Sequence, residues 1–443
     1  MRLNINLMKA TLTGALGGLL FGFDTVVIAG AIDALVNLYH LSPQNKGLTV
    51  AIGLVGTVIG ALGAGQIGQR LGSRETLRLT AILYVVSAAG CAFAWNWDSF
   101  LVFRLIGGLG IGASSVLGPV YIAELSPAKW RGRFVALFQF NVVFGIMLAY
   151  MSNYAIRTMH LGAMEWRWQV GVAGIPAVVF LILLFGIPRS PRWSASRDRI
   201  DEALEVLKLM GDPDPEAELA DVRAALQQEH ASAHERVFQW KFRYPLFLAI
   251  TIGAFNQLAG INAILYYIND IFAAAGYSQL SGDQKAIAIG ATNLLFTMVG
   301  MSVIDKIGRK TLLLIGAAGT AICLAGVAWI FSSHTHEGML VWILITYIAF
   351  FALSQGAVIW VYLGEVFPTS VRSKGQGVGS ASHWFMNAAI AESFPIVVHA
   401  TSTASPFMFF AGMTVVQFLV VLFMYPETKG QTLEELQRRL VKA

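Results

Sequence analysis

The sequence has few charged residues and almost no cysteine. Charged residues occupy 13% of its 443 positions, about half of the ~25% that is usual in soluble domains. Cysteine occurs only at Cys91 and Cys323, and both lie inside apolar runs. This usage excludes a disulfide framework and gives no metal-binding spacing, so we expect packing residues and no metal site.

Long apolar runs are what the sequence has instead. Hydrophobic residues make up 56% of the chain, and the mean hydropathy is +0.62. We count twelve runs of about 20 apolar residues, each long enough to cross a bilayer as a helix. The first run follows a short basic stretch, as in a secretory signal, but it lacks a convincing cleavage site, so we expect it to be retained. The pattern predicts an all-α membrane protein with twelve transmembrane helices.

The runs fall into two groups of six that flank one long polar segment. Leucines at helical spacing within this segment predict short amphipathic helices at the membrane surface. The predicted organisation is a first six-helix bundle at 1–188, a linker at 189–244, a second bundle at 245–425 and a tail at 426–443.

Basic residues cluster in the loops after the second, fourth, eighth and tenth runs. The remaining loops carry few, chiefly Lys46, Arg157 and Lys285. By the positive-inside rule, both termini and the linker are predicted to be cytoplasmic. The net charge of +5 therefore reflects topology, and the absence of a basic patch interleaved with aromatic residues argues against nucleic-acid binding.

Two motifs recur along the chain. VYIAELSPAKWR begins at position 120 and VYLGEVFPTSVR at 361, which is 241 residues later. RLGSRETL begins at 70 and KIGRKTLL at 306, which is 236 residues later. Two motifs repeated at nearly one separation indicate a parallel duplication of six spans, as in the major facilitator fold with its pseudo-two-fold axis. A substrate is then expected between the halves.

A family signature is carried by FRLIGGLGIG, PVYIAELSPAKWRGR, PRSPRW, NQLAGINAILYY, DKIGRKTLL, AVIWVYLGEVFP and PETKGQTLEEL. With these stretches the chain resembles the sugar porter family of the major facilitator superfamily, which includes bacterial proton-coupled pentose and hexose symporters and animal glucose facilitators. The resemblance implies alternating-access import of a monosaccharide with a proton, without catalytic residues or a cofactor. It also implies a multi-pass protein of the bacterial inner membrane, with a monomer as the default.

Asp24 lies in the first apolar run, where an unpaired carboxylate costs several kcal/mol. Its candidate partner is Arg104, the lone cation at the start of the fourth run. A carboxylate that pairs with an arginine in one state and loses it in another alternates in proton affinity. The resemblance supports proton coupling here, because proton symporters of the family carry an aspartate in F-G-[FY]-D. The alternative is a static buried ion pair that ties two helices together.

Amide side chains inside apolar runs offer donors and acceptors without charge, which suits the neutral hydroxyls of a sugar. Gln257 and Asn262 lie within roughly 140° of each other on a regular helix, and a break at Gly260 would bring them closer. The alternative is that such amides only bridge helices. The resemblance implies a sugar site that contains Gln139, Gln257, Asn262, Tyr266, Asn293, Trp360, Trp384 and Asn387, with Asn256 and His383 at positions where the family usually has other amides.

A charged set is implied at the cytoplasmic helix ends, where ion pairs form in the outward-facing state and break as the carrier opens inward. Gln69 stands where the family usually has aspartate, and Arg189 replaces the acid of a PESPR motif. With fewer acids and one more base, we predict a weakened gate; an exposed, solvated cluster is the alternative. The gate residues are Arg70, Arg74, Glu124, Arg131, Arg309, Glu365 and Arg372.

Other functions are less well supported by the sequence. An uncoupled sugar facilitator is the main alternative within transport. A sugar sensor usually needs a long signalling extension, and the segment after Pro426 is short. We find no nucleophile elbow, Walker sequence or zinc spacing, so an enzyme is not expected. Glu392, a second acid inside a run, has no role that the family assigns.

Overall fold

The computed structural model describes residues 4–232, 237–368, 371–431, 435–436 and 440, and this part of the chain is almost entirely helical. Short 3₁₀ turns join some helices, and one segment, Ala352–Gly356, is a π-helix. The α-helices are α1 (Ile5–Tyr39), α2 (Pro43–Leu71), α3 (Ser73–Ala92), α4 (Trp97–Leu125), α5 (Ala128–Thr158), α6 (Glu165–Gly171), α7 (Gly174–Leu183), α8 (Pro191–Ser196), α9 (Ile200–Met210), α10 (Pro215–Ser232), α11 (Arg243–Leu258), α12 (Ile261–Tyr266), α13 (Ile268–Ala274), α14 (Gln279–Ile307), α15 (Arg309–Ser333), α16 (Leu340–Phe351), α17 (Ala357–Glu365), α18 (Arg372–Ala400) and α19 (Ala404–Met424).

Eleven segments of the described chain are long and apolar enough to cross a membrane. The twelfth predicted span is α18, whose 29 residues give a length of about 44 Å, more than the ~30 Å of a hydrocarbon core. Its hydropathy is lower because it carries His383, Asn387 and Glu392 among its apolar residues. The span that appears least apolar is thus one of those predicted to bind substrate.

The polar segment between the two groups of spans forms α8, α9 and α10, as the helical spacing predicts. Ala203 and Leu207 on α9 pack with Leu219 on α10 in a small apolar cluster of their own. Helix α9 ends at Met210 and is followed by Gly211, which adopts a positive φ of 79°. That conformation is accessible to glycine at little cost and stops the helix.

The chain forms two compact units, and three long helices each contribute residues to both of them. Helices α1, α2 and α5 each begin in one unit and end in the other. The sequence-based boundaries between a first bundle, a linker and a second bundle rest on the duplication and stay a prediction. The first unit contains Met1–Val27, Val55–Ala149 and Trp166–His234, and the second contains Ile28–Leu54, Tyr150–Glu165 and Glu235–Ala443.

Each unit has its own apolar core. In the first unit, Tyr84, Tyr121 and Phe180 are buried among aliphatic side chains. In the second unit, Leu248 and Tyr362 are buried in the corresponding way. The tyrosine hydroxyls find acceptors: that of Tyr121 donates to the carbonyl of Pro188 at 2.8 Å.

The seventh span is broken at Gly260. Helix α11 ends at Leu258 and α12 begins at Ile261, with Gly260 between them at a φ of 84°. A Cβ at this position would lie 2.4 Å from the ring of Phe410 on α19. The residue is therefore restricted to glycine by both its backbone conformation and the close approach of an aromatic ring.

We predict that Gly260→Ala destabilises the protein, because the side chain would be strained and would displace Phe410. Overpacking alone typically costs about 1–3 kcal/mol, so a melting temperature several degrees lower is expected in detergent-solubilised protein. Gly412→Ala on α19 is the matched control, since a Cβ there meets no atom within 4 Å. Equal melting temperatures for the two variants would contradict the prediction.

Candidate functional site

Asp24 and Arg104 form the buried ion pair that the sequence predicts. Arg104 Nη1 lies 3.1 Å from Asp24 Oδ2, and the two side chains are only 6% and 12% exposed for the arginine and the aspartate. The same nitrogen also reaches the backbone carbonyl of Asp24 at 3.5 Å. Arg104 Nε is buried and has no hydrogen-bond partner among the described residues. Because Nε is unused, the arginine holds the carboxylate less fully than a bidentate pair would.

Four predicted sugar-site residues form one hydrogen-bonded group in the second unit, which we call the amide cluster: Asn256, Gln257, Asn262 and His383. Gln257 Nε2 donates to Asn256 Oδ1 at 3.1 Å, and Asn262 Nδ2 donates to Gln257 Oε1 at 3.1 Å. Gln257 Nε2 also lies 3.3 Å from the ring nitrogens of His383. The break at Gly260 is what brings Asn262 back to Gln257.

An aromatic wall adjoins the amide cluster. The indole of Trp360 lies with its ring centre 5.3 Å from that of His383, and Trp384 meets His383 edge-on at 5.0 Å. Trp360 is 40% exposed, whereas Trp384 is buried. The exposed indole can therefore contact a small molecule, while the buried one holds the histidine ring in place.

Three further predicted residues of the second unit are held by neighbours. Tyr266 and Asn387 are both buried and bond to each other, with the tyrosine oxygen 3.2 Å from Oδ1 and 3.1 Å from Nδ2. Asn293 Oδ1 accepts from the hydroxyl of Thr297 at 3.4 Å. Gln139 lies on α5, in the first unit.

Two residues that the sequence analysis did not select lie beside this group. Tyr347 donates its hydroxyl to the carbonyl of Ala259 at 2.7 Å, which satisfies a carbonyl freed by the break at Gly260. The backbone carbonyl of Gln355 accepts from Asn256 Nδ2 at 3.4 Å. Gln355 could have been predicted from the sequence, because it is an amide residue inside an apolar run, as Gln257 is.

One predicted gate residue of the first unit, Arg74, pairs with an acid that was not predicted, Glu75. Its carboxylate pairs with Arg74 at 2.5 Å and with Arg78 at 2.9 Å. Arg189, the base at the usual acidic position, lies 3.6 Å from Glu75 and 3.6 Å from Glu202. The extra base is thus matched by acids within its own unit.

The other predicted gate residues of the first unit make contacts away from Glu75. Glu124 accepts from the hydroxyl of Ser73 at 3.1 Å. Arg131 donates to the carbonyl of Ala123 at 3.1 Å and approaches Glu218 only to 4.0 Å. Arg70 is exposed in the last turn of α2.

The second unit contains the more tightly bonded gate residues. Arg309 binds Glu365 in a bidentate manner, at 2.8 and 3.2 Å, and Thr428 adds a hydroxyl bond to the same carboxylate at 2.6 Å. Glu427 accepts from the backbone nitrogen of Arg309 at 2.9 Å, at the start of α15, where a negative charge complements the helix dipole. Arg372 donates to the carbonyl of Phe367 at 3.3 Å.

A second set of charges in the second unit was not predicted as a group; we call it the Lys46 cluster, made of Asp33 on α1, Lys46 on α2 and Asp270 on α13. Lys46 lies 2.5 Å from Asp270 and 3.6 Å from Asp33. Burial raises the pKa of Asp270 to about 6, while the nearby Lys46 ammonium opposes that rise. One cation therefore compensates two acids.

Arg157 makes the neighbouring set of contacts. It pairs with Asp283 and, at 3.1 Å, with Glu165, and it donates to the carbonyl of Gly30 at 3.2 Å. Asn269 bonds Asp283 at 2.8 Å. Lys46 and Arg157 stood out in the sequence as rare loop cations, but their acidic partners are more than 100 positions away for the closest contacts.

The family of the chain follows from comparison with known proteins. The sequence model described as "Sugar (and other) transporter" matches residues 10–440. The chain belongs to this family. The expectation of a sugar porter of the major facilitator superfamily is thereby confirmed, and the family is one of transporters rather than enzymes.

Named relatives and solved structures agree with this placement. The chain is 34% identical over 436 residues to the arabinose-proton symporter of Bacillus subtilis, covering 96% of this chain and 93% of the relative. It is 34% identical over 474 residues to the D-xylose-proton symporter of Escherichia coli, covering 97% and 95%. The inward-open structure of the xylose transporter XylE from E. coli matches with a TM-score of 0.88 and 32% identity, covering 98% of this chain and 100% of that one.

These matches confirm the predicted fold, a twelve-helix membrane protein of the major facilitator type. They also place the chain among multi-pass membrane proteins of the kind that carry sugars with protons. The roles of individual residues stay predictions.

We predict that Lys46→Ala destabilises the Lys46 cluster in a pH-dependent way. Because the pKa of Asp270 is raised to about 6, its contribution to stability is largest when protonated and falls as the pH rises through that value. Without Lys46 no ammonium opposes the effect of burial on the pKa of Asp270, so the loss of stability with rising pH is larger. The melting temperature should drop at about pH 8 and change little at about pH 5.

The double variant Lys46→Ala with Asp270→Asn should recover most of the loss at the higher pH. Lys285→Ala is the matched control, because Lys285 bonds the hydroxyl of Ser281. A loss of equal size at both pH values would contradict the electrostatic origin.

Proposed function

We propose that this protein is a secondary active transporter that imports a monosaccharide together with a proton by alternating access. The observation that carries the proposal is the buried pair of Asp24 and Arg104, 3.1 Å apart in the spans of the first unit. Relatives over nearly the whole chain are named proton symporters for arabinose and xylose. A carboxylate held by one cation in apolar surroundings is the chemistry that such coupling requires.

Asp24 is the proposed proton carrier and Arg104 the residue that controls it. While the guanidinium lies beside the carboxylate, the anion is compensated and the proton is released. When the two separate, an isolated anion in low dielectric is far less stable than the protonated acid, so a proton binds. The single side-chain bond from Nη1 keeps that separation less costly than the rupture of a bidentate pair.

The amide cluster and the exposed indole of Trp360 are the proposed sugar site. Amides match neutral hydroxyls as both donors and acceptors, and an indole face packs against the C–H surface of a sugar ring. Tyr266, Asn293, Trp384 and Asn387 are proposed to complete it, and the family resemblance adds Gln139. The substrate class is a pentose or hexose; relatives are named for arabinose, xylose and glucose.

The two six-helix halves at 1–188 and 245–425 are proposed as the parts that rock about this site. The seven predicted gate residues would then pair at the cytoplasmic side and separate as the carrier opens inward. Both termini, the linker at 189–244 and the tail at 426–443 are placed in the cytoplasm by the positive-inside rule. We propose a monomer in a bacterial inner membrane.

We predict that Asp24→Asn abolishes concentrative sugar uptake but leaves sugar exchange. The asparagine keeps the shape of the side chain and cannot cycle a proton. The measurement is sugar-driven proton movement and uptake in proteoliposomes, with D-glucose, D-xylose and L-arabinose. Asp98→Asn, at an exposed acid in the first turn of α4, is the control and should leave both activities unchanged.

The outcomes separate coupling from binding. Accumulation that survives Asp24→Asn would overturn the coupling role. Sugar exchange without proton movement in the unmodified protein would make it an uncoupled facilitator, with the ion pair a structural link. Sugar binding without any flux would point to a sensor.

A further inference from the structure

Gln355 differs from the other buried amides near the proposed sugar site. Its side chain is 1% exposed, and both amide atoms, Nε2 and Oε1, are buried without a hydrogen-bond partner among the described residues. An amide can use both its donor and its acceptor groups, and leaving them unmade in an apolar interior is costly. Neither end of this buried amide is used by the described residues, which makes Gln355 a candidate ligand-binding residue.

The backbone around Gln355 departs from a regular α-helix. Residues Ala352–Gly356 form a π-helical turn inside the tenth span, and such turns occur frequently at functional sites. The turn ends directly before α17, which carries Trp360.

The same turn is tied to the amide cluster. The carbonyl of Gln355 accepts from Asn256 Nδ2 at 3.4 Å, and Asn256 accepts in turn from Gln257 at 3.1 Å. The unpaired amide therefore belongs to a residue whose backbone is one hydrogen bond away from the proposed sugar ligands. Its donor and acceptor remain available, whereas those of Gln257 are already shared with its neighbours.

We propose that Gln355 is a specificity-determining residue of the sugar site, whose amide binds two adjacent hydroxyls of the substrate. This inference rests on the proposed function. In the bound state Oε1 accepts from one hydroxyl and Nε2 donates to the oxygen of the next. The substrate class is a sugar ring that carries free hydroxyls on neighbouring carbons, and analogues that lack either hydroxyl are discriminated against.

The test is a binding measurement on purified protein with sugars and their monodeoxy analogues. D-glucose, D-xylose and L-arabinose are first titrated against the unmodified protein, and the tightest is taken forward with its monodeoxy series. Gln355→Leu should weaken binding of the parent sugar by about tenfold or more, which corresponds to ~1.4 kcal/mol or more. For the two analogues that lack the contacted hydroxyls, the variant should bind nearly as the unmodified protein does.

Gln417→Leu on α19 is the matched control. Gln417 is also buried and its Oε1 also lacks a partner among the described residues, but its helix contributes nothing to the amide cluster. Its replacement should leave the pattern of deoxy-sugar affinities unchanged. A merely structural role for Gln355 would weaken every analogue by the same factor.

Each outcome decides the question. The inference is supported if Gln355→Leu weakens binding only of the parent sugar and of the analogues that keep both neighbouring hydroxyls. Unchanged affinities, or equal losses throughout the series, overturn it while leaving the proposed function intact. If the unmodified protein binds none of the sugars, the proposed function fails first and the inference with it. Should the leucine variant not fold, Gln355→Asn, with a shorter amide, must give the same two-position signature.

Discussion

Polar groups inside apolar helices have to find partners, and this requirement organises the molecule. Water is scarce within a bilayer, so an unpaired carboxylate or amide there is costly. Asp24 on α1 meets Arg104 on α4, and Gln257 on α11 meets Asn262 on α12, so each of these two pairings links two helices within its unit. The few polar side chains in the spans therefore stabilise the helix packing and are also the candidates for proton and substrate binding.

Pairings that depend on local geometry could be predicted from the sequence. The break at Gly260 follows from glycine's freedom at positive φ, and it explains why Asn262 reaches Gln257. Asp24 and Arg104 could be matched because each is the lone charge in its run, so few alternatives existed. The number of spans could also be predicted, because each apolar run must be long enough to cross the hydrocarbon core.

Pairings that depend on tertiary structure could not be predicted. Glu75 lies next to Arg74 and three residues before Arg78, so those contacts are local, but its contact with Arg189 joins distant parts of the chain. Lys46 and Arg157 are rare loop cations in the sequence. Their closest acidic partners lie on α13 and α14, more than 100 residues away along the chain. The prediction of a weakened gate rests on Gln69 and Arg189, which stand where the family usually has acids. In the structure Arg189 lies near two other acids, Glu75 and Glu202.

A single protonatable acid buried beside one arginine has an electrical consequence. Sugars are neutral, so a cycle in which Asp24 carries one proton would move one elementary charge across the membrane. A membrane potential of ~100 mV contributes about 2.3 kcal/mol to each such transfer. At about 1.4 kcal/mol per tenfold, that voltage alone would sustain roughly a 50-fold sugar gradient, even with equal pH on the two sides.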